Sequence, residues 1–378
     1  MRRFWVLILI ITLLAAASVG IVFFARGYKF DLSNGNLEKT GMILVKSRPD
    51  GAKVFLDGEL VTATNNPIQG LKPGKYNLKI VKEGFFEWEK KVEVKEELVT
   101  EIDALLIPLS PALTPLTSTG VRSPTLSSNR DRIAFLKTDG KSGIYTLTLT
   151  GQAFLGFLRA NINPLVLDTE DLVFSAAEGV FWSPNDAEML IQMNQQGFYR
   201  LRLGVEGTVE ATSSAAPTAA EWEEISQAKA RLMASRIKIP RNLEQIATAS
   251  ATPWSPDENK FTYRRESEGA AEYWVYDGSE PLPVARNRNN MILKTTEPEK
   301  VRMFWFADSQ HLILVDPPEA DKASTISLIE IDGTNKTRVY SGALASDAVF
   351  PTPGGDKLII LTSFVEGAAP NLYAISLR

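Results

Sequence analysis

The chemistry open to this chain is narrow, because it holds one histidine, His311, and no cysteine. Disulfides, thiolate nucleophiles, thiolate metal sites and any mechanism needing two imidazoles are excluded. A serine–histidine–acid relay would have to combine His311 with a serine such as Ser255. His311 adjoins the apolar run Leu312-Ile313-Leu314 and no Gly-x-Ser-x-Gly elbow occurs, so it reads as a structural residue. Carboxylates remain, since two of them roughly 5–10 Å apart suffice for glycoside hydrolysis. Asp257, Asp308 and Asp356, however, recur at turn positions where an Asx hydrogen bond accounts for them. Asp168-Thr169-Glu170-Asp171 lacks the alternating oxygen ligands and the glycine of a calcium loop. Gly70-Leu71-Lys72-Pro73-Gly74-Lys75-Tyr76 is one residue short of a phosphate loop and reads as a hairpin turn. No catalytic, cofactor-binding or metal-binding residue is assigned, and the formal net charge of −4 gives no reason to expect a nucleic-acid partner.

The elements that would position any site begin with an apolar segment. Phe4 to Phe24 carry no charge, and at about 1.5 Å per residue they cross a bilayer core of about 30 Å as a helix. Arg2 and Arg3 precede the segment, whereas Arg26, Lys29 and Asp31 follow it, which favours a cytoplasmic N-terminus. A cleaved signal peptide, with Ala15-Ala16-Ala17 near its cleavage site, and a buried soluble helix are the competing readings. The expectation is a single-pass anchor at 1–28 that contacts lipid through residues 4–24, with the bulk of the chain extracytoplasmic. Residues 29–41 lack apolar periodicity and read as a spacer.

From Met42 the pattern is β. Tyr76, Leu78 and Ile80 alternate with polar residues, as do Phe86, Trp88, Val92 and Val94, and Asp57-Gly58, Lys72-Pro73-Gly74 and Glu83-Gly84 punctuate them. The run Ser47-Arg48-Pro49-Asp50-Gly51-Ala52-Lys53-Val54-Phe55-Leu56-Asp57-Gly58 resembles the start of a PEGA domain, with Asp50 where the family name has Glu. Asn66-Pro67, the turn at Leu71–Tyr76 and Gly84-Phe85-Phe86 resemble its later marks in order. The resemblance covers 42–107 and implies a small envelope β-sandwich with no catalytic residues to carry over.

Residues 108–118, with Pro108, Pro111 and Pro115, read as a linker or an incoming strand. A repeat follows. Turns starting at Leu126, Trp182, Trp254, Trp305 and Pro351 each precede, by seven residues, a short apolar strand: Ile133-Ala134-Phe135, Met189-Leu190-Ile191, Phe261-Thr262-Tyr263, Leu312-Ile313-Leu314 and Leu358-Ile359-Ile360. The intervals are 56, 72, 51 and 46 residues, against roughly 40–50 for a propeller blade. The Trp254-Ser255-Pro256-Asp257 turn resembles those of TolB-like, WD-type bacterial propellers. The fold expected is therefore all-β: an N-terminal transmembrane helix, a PEGA sandwich, and at 119–378 a β-propeller of five to seven blades. A degenerate blade near Leu165–Phe174 would account for the higher numbers.

The long interval predicts an insertion at about 207–252. Its segment 219–237 places Trp222, Ile225, Ala228, Leu232 and Met233 at helical spacing. Packing on the chain's own propeller is the expected use of that stripe, and a partner-binding role for Trp222, Ile225 and Leu232 is the alternative. A non-catalytic, membrane-anchored binding or scaffolding protein of the cell envelope, with an envelope protein or glycan as partner, is the function expected. An extracytoplasmic hydrolase or lyase acting on glycans through channel carboxylates is the alternative.

Overall fold

The computed structural model describes residues 2–25, 28–31, 36–149, 161–194, 197–204, 209–212, 214–284, 286–317, 323–365 and 367–378. Arg26, residues 205–208 and Ser213 lie outside them. The chain divides into two compact units, residues 1–109 with 281–287 and residues 110–280 with 288–378.

The first unit opens with α1 (Arg2–Ala25), whose stretch Phe4–Val22 is long and apolar enough to cross a membrane. None of the described residues covers that stretch, so side chains such as Leu9 and Ile21 stand exposed. The expected spacer is not featureless. Strands β1 (Tyr28–Asp31) and β2 (Asn36–Lys39) form an antiparallel ribbon, since main-chain pairing needs no apolar alternation.

Seven strands follow: β3 (Gly41–Arg48), β4 (Lys53–Leu56), β5 (Glu59–Ala63), β6 (Asn66–Leu71), β7 (Gly74–Val81), β8 (Trp88–Val94) and β9 (Val99–Leu105). They make two sheets, ordered β6-β3-β9 and β5-β4-β7-β8, with β3 antiparallel to β6 and parallel to β9. Alternation sends Val54, Leu78, Ile80, Trp88, Val92 and Val94 into one core with Ile43 and Val45. Asp57 and Gly58 adopt φ of 50° and 91°, the left-handed pair that a two-residue hairpin between β4 and β5 requires.

The second unit is a five-bladed β-propeller. After β10 (Leu113–Pro115), the first blade comprises β11 (Val121–Leu126), β12 (Arg132–Lys137), β13 (Gly143–Thr148) and β14 (Ile162–Leu167). The second comprises β15 (Gly179–Trp182), β16 (Glu188–Met193), β17 (Gly197–Arg202) and β18 (Val209–Thr212), and helices α2 (Ala216–Arg236) and α3 (Arg241–Ala247) come next. The third contains β19 (Lys260–Ser267), β20 (Ala270–Asp277) and β21 (Asn289–Thr295), its inner strand reduced to a bridge between Trp254 and Phe261. The fourth is β22 (Arg302–Trp305), β23 (His311–Asp316), β24 (Ser324–Glu330) and β25 (Thr337–Gly342). The fifth is β26 (Val349–Pro351), β27 (Lys357–Thr362) and β28 (Asn371–Ser376), and β10 completes it by pairing with β28.

One pair of alternatives is resolved and two expectations shift accordingly. Part of the Pro-rich stretch 108–118 is this closing strand, and Pro115 is tolerated because β10 is the outermost strand of its sheet. The segment near Leu165–Phe174 holds the end of the first blade's outer strand and a short 3₁₀ turn at Phe174–Ala176 rather than a further blade. The helical insertion starts after β18, so Val209–Thr212 belong to the second blade.

Each blade turn is closed in the same way. The main-chain N–H of the residue after the turn start donates across the turn, as in Ser183 to Glu188 O (2.9 Å) and Ser255 to Lys260 O (2.9 Å). In four blades that residue is a buried Ser or Thr whose hydroxyl accepts the returning strand's N–H: Arg132 to Ser127, Glu188 to Ser183, Lys260 to Ser255 and Lys357 to Thr352, at 3.0–3.2 Å. The hydroxyl in turn donates to a nearby Asp or Asn, such as Asn185 or Asp356. In the fourth blade Phe306 has no hydroxyl, and Asp308 Oδ1 accepts the His311 N–H instead, at 3.0 Å. Replacing Ser255 by Ala leaves the buried Lys260 N–H without its acceptor and takes one of three donors from Asp257. Urea unfolding of the full chain in detergent is expected to show the propeller destabilised by about 1–3 kcal/mol; a change under a few tenths would contradict this role.

Candidate functional site

The five turns converge with α2 around a cavity of about 640 Å³. Ser128, Asn129 and Arg130 come from the first blade's turn, Trp182 and Pro184 from the second, Trp254 and Pro256 from the third, and Ser226, Lys229 and Met233 from α2. A second cavity of about 360 Å³ is lined by inner-strand residues including Leu126, Met303, Phe304, Val349 and Phe350, and it shares Arg130, Pro253 and Pro351 with the first. The channel lining is apolar because inner strands bury alternate side chains against neighbouring blades.

The fourth residue after each turn start decides what faces the next turn. Arg130, Asp186, Glu258, Ser309 and Gly355 occupy this position, all with φ between 56° and 63°. Asp186 reaches back to the first blade, its two carboxylate oxygens accepting the N–H groups of Ser128 (2.6 Å) and Asn129 (2.8 Å). Ser309 Oγ accepts the N–H of Asp257 in the third blade, at 3.0 Å. Glu258 instead pairs with Arg236 of α2, at 2.6 Å. Arg130 donates from Nη2 to the carbonyl of Trp254 two blades away, at 3.1 Å, and burial lowers its guanidinium below the ordinary arginine range.

The tryptophans make a parallel series. Trp182 and Trp305 donate their indole N–H to the preceding blade, to Thr125 O (3.2 Å) and Pro253 O (2.9 Å). Trp254 donates to Ala247 O at the end of α3, at 3.3 Å. The insertion thus takes the place on the third blade's flank that a preceding blade takes elsewhere. Met233, Leu243 and Ala247 pack with Trp254, Phe261, Tyr263 and Tyr276, and Arg200 of the second blade pairs with Glu221 of α2.

The residues weighed for chemistry are held in structural roles. Ser255 Oγ is buried between Lys260 and Asp257. His311 is 5% exposed, with Nδ1 2.9 Å from Asp308 Oδ2 and its ring edge-on to Phe306. Asp168 accepts the N–H and hydroxyl of Ser175. Lys72-Pro73 joins β6 to β7, which belong to different sheets, so it is a tight connection between the two sheets rather than the expected hairpin turn. Among the described residues no group of three or more His, Asp or Glu stands close enough to hold a metal ion.

Of the helical stripe read from the sequence, Met233 joins the packed face and the other positions do not. Trp222 and Ile225 are half-buried and Leu232 is 54% exposed, and none of the three joins the cluster on the third blade. Thr218, Ala230 and Met233 are buried, with Ser226 on the same side lining the cavity. Small residues face inward because the helix lies close over the turns, and an apolar-residue count overlooks them. Arg130 was also overlooked; the signal was its position, where the other blades have Asp, Glu, Ser and Gly. Met233→Ala is expected to lower stability by about 2–5 kcal/mol. Leu232→Ala is expected to stay within about 0.5 kcal/mol. Thermal unfolding of the two variants side by side checks the assignment, and a reversed order would contradict it.

Residues 40–109 match the PEGA domain, two residues beyond each end of the stretch anticipated. No curated protein matches the chain. Among solved structures, TolB from Acinetobacter baumannii is 14% identical with a TM-score of 0.27, over 80% of this chain and 59% of that one. An oligogalacturonate lyase from Vibrio parahaemolyticus is 11% identical with a TM-score of 0.37, over 70% of this chain and 93% of that one. The β-propeller domain of the Trilobed protease from Pyrococcus furiosus is 10% identical with a TM-score of 0.23, over 89% and 83%. These similarities are too low to carry an argument about activity, and the propeller assignment rests on the five sheets and the closing strand. The chain thus joins a PEGA domain at 40–109 to a five-bladed β-propeller behind an N-terminal apolar helix.

Proposed function

We propose that the chain is a non-catalytic binding protein of the bacterial cell envelope, anchored by α1 with its N-terminus cytoplasmic and both β-units outside. The observation that carries the binding reading is the cavity at the channel mouth. Its lining includes one carboxylate, Glu258, which is engaged with Arg236, whereas glycoside hydrolysis needs two free to act on one bond. Its walls combine tryptophan, proline and methionine with serine, asparagine, lysine and arginine side chains, and a concave pocket in which polar groups converge beside apolar surface is the usual form of a ligand site. The apolar surface of α1, which none of the described residues covers, supports the anchor, because lipid would cover a helix of that length. Trp222, Ile225 and Leu232, outside the packed face of α2, offer a further contact for an envelope protein or glycan.

Two measurements test this reading. Protease added to intact spheroplasts is expected to remove both β-units and leave a small α1 fragment; full protection of the chain would contradict the topology. The purified full chain is expected to show no glycan turnover, and turnover abolished by Glu258→Gln would overturn the binding reading in favour of a hydrolase or lyase.

A further inference from the structure

We propose that Arg130 and Lys229 bind a small oxyanion-bearing ligand, a carboxylate or a phosphate, in the cavity at the channel mouth. The inference rests on the binding reading above and names the ligand chemistry of that site.

Its first support is a charge left without its match. Other cations near the turns have carboxylate partners: Lys260 with Asp257, Arg236 with Glu258, and Arg200 with Glu188. Arg130 has none within ion-pair distance among the described residues, and its contact is one main-chain carbonyl. A guanidinium has five N–H donors in a planar fork, so this bond leaves a face suited to two oxygens of an anion. Arg130 is half-buried, and partial removal of an arginine from water without a counter-charge carries a cost that a bound anion offsets.

Its second support is the cavity itself. Lys229 lines it from α2 and likewise has no carboxylate within ion-pair distance among the described residues. The lining carboxylate, Glu258, is neutralised by Arg236. The cavity therefore carries an excess of positive charge within a chain whose net charge is −4, and low-dielectric walls focus such a field. At about 640 Å³ it falls in the range of small-ligand sites, roughly 300–1,000 Å³. Trp182, Trp254 and Met233 would cover the apolar body of the ligand.

The third support is the repeat. The position of Arg130 is one where other blades make turn-to-turn contacts with Asp186 and Ser309. An arginine there, with φ of 60°, does not make the equivalent contact and instead spans the mouth to Trp254.

Isothermal titration of the full chain in detergent at low salt, with citrate and separately with orthophosphate, tests the proposal. Saturable binding of at least one anion is expected, weakened about tenfold or more by Arg130→Met, an effect of about 1.4 kcal/mol. Lys229→Met is expected to weaken it several-fold, and added salt to weaken it progressively. Citrate binding alone would assign a carboxylate ligand and phosphate binding alone a phosphate. If Arg130→Met does not fold, Lys229→Met and Lys229→Glu, on an exposed helix position, carry the comparison. No saturable binding of either anion, or binding unchanged by Lys229 substitution, overturns the proposal. Loss of anion binding would leave the wider binding reading standing, whereas glycan turnover would overturn that reading with anion affinity intact.

Discussion

The propeller depends on a side-chain acceptor that completes each blade turn, a Ser or Thr hydroxyl in four of them and Asp308 Oδ1 in the remaining one. A tight turn between two strands leaves the first N–H of the returning strand without a ladder partner, and a buried N–H in that state is costly. Ser127, Ser183, Ser255 and Thr352 each accept that N–H from within the turn. The turn then needs no water, so it can sit buried at the channel mouth. This is why a short polar residue follows each of these turn starts in an otherwise apolar neighbourhood, and why Ser255 belongs to the scaffold rather than to a nucleophilic site.

Once the turns are fixed, their fourth residues are aimed at neighbours. Asp186 and Ser309 stitch adjacent turns through main-chain N–H groups, and Trp182 and Trp305 do the same through indole donors. Between the second and third blades the stitching passes through α2 and α3: Arg236 takes Glu258, and Ala247 takes the Trp254 indole. The insertion is thus part of the ring's cohesion as well as one wall of the cavity. A helix with both duties must approach the turns closely, which explains the small residues Ser226 and Ala230 on its inner side.

Much of this was legible in the sequence. The seven-residue step from turn start to apolar strand located all five blades, and the alternation at Tyr76–Ile80 and Trp88–Val94 located two strands of the sandwich. The third blade's inner strand was shortened without a sequence signal, because its flank packs against helices rather than a sheet. The Pro-rich stretch was legible as a linker or an incoming strand, because its prolines forbid a central strand but not an edge. The buried side of α2 was legible only at Met233, because periodicity weighs large apolar residues and the rest of the contact is made by small ones. Arg130 and Lys229 lie far apart in sequence, and only the folding of a blade turn beneath the insertion puts them on one cavity.

The site comes down to a single arrangement: five turns, four completed by a hydroxyl and one by Asp308, meeting under α2 to form a ligand-sized mouth. The absence of cysteine makes it directly measurable, since two thiols can be introduced without competition. Ser128→Cys on the first blade's turn and Ser226→Cys on α2 place one thiol on each wall of the cavity. A short bismaleimide is expected to join them within one chain, giving an intramolecular cross-link in high yield. A control pair at Thr114 and Ala374, partners in the closing strand, should bridge as well. Bridging of the control pair with no cross-link between positions 128 and 226 would contradict the account.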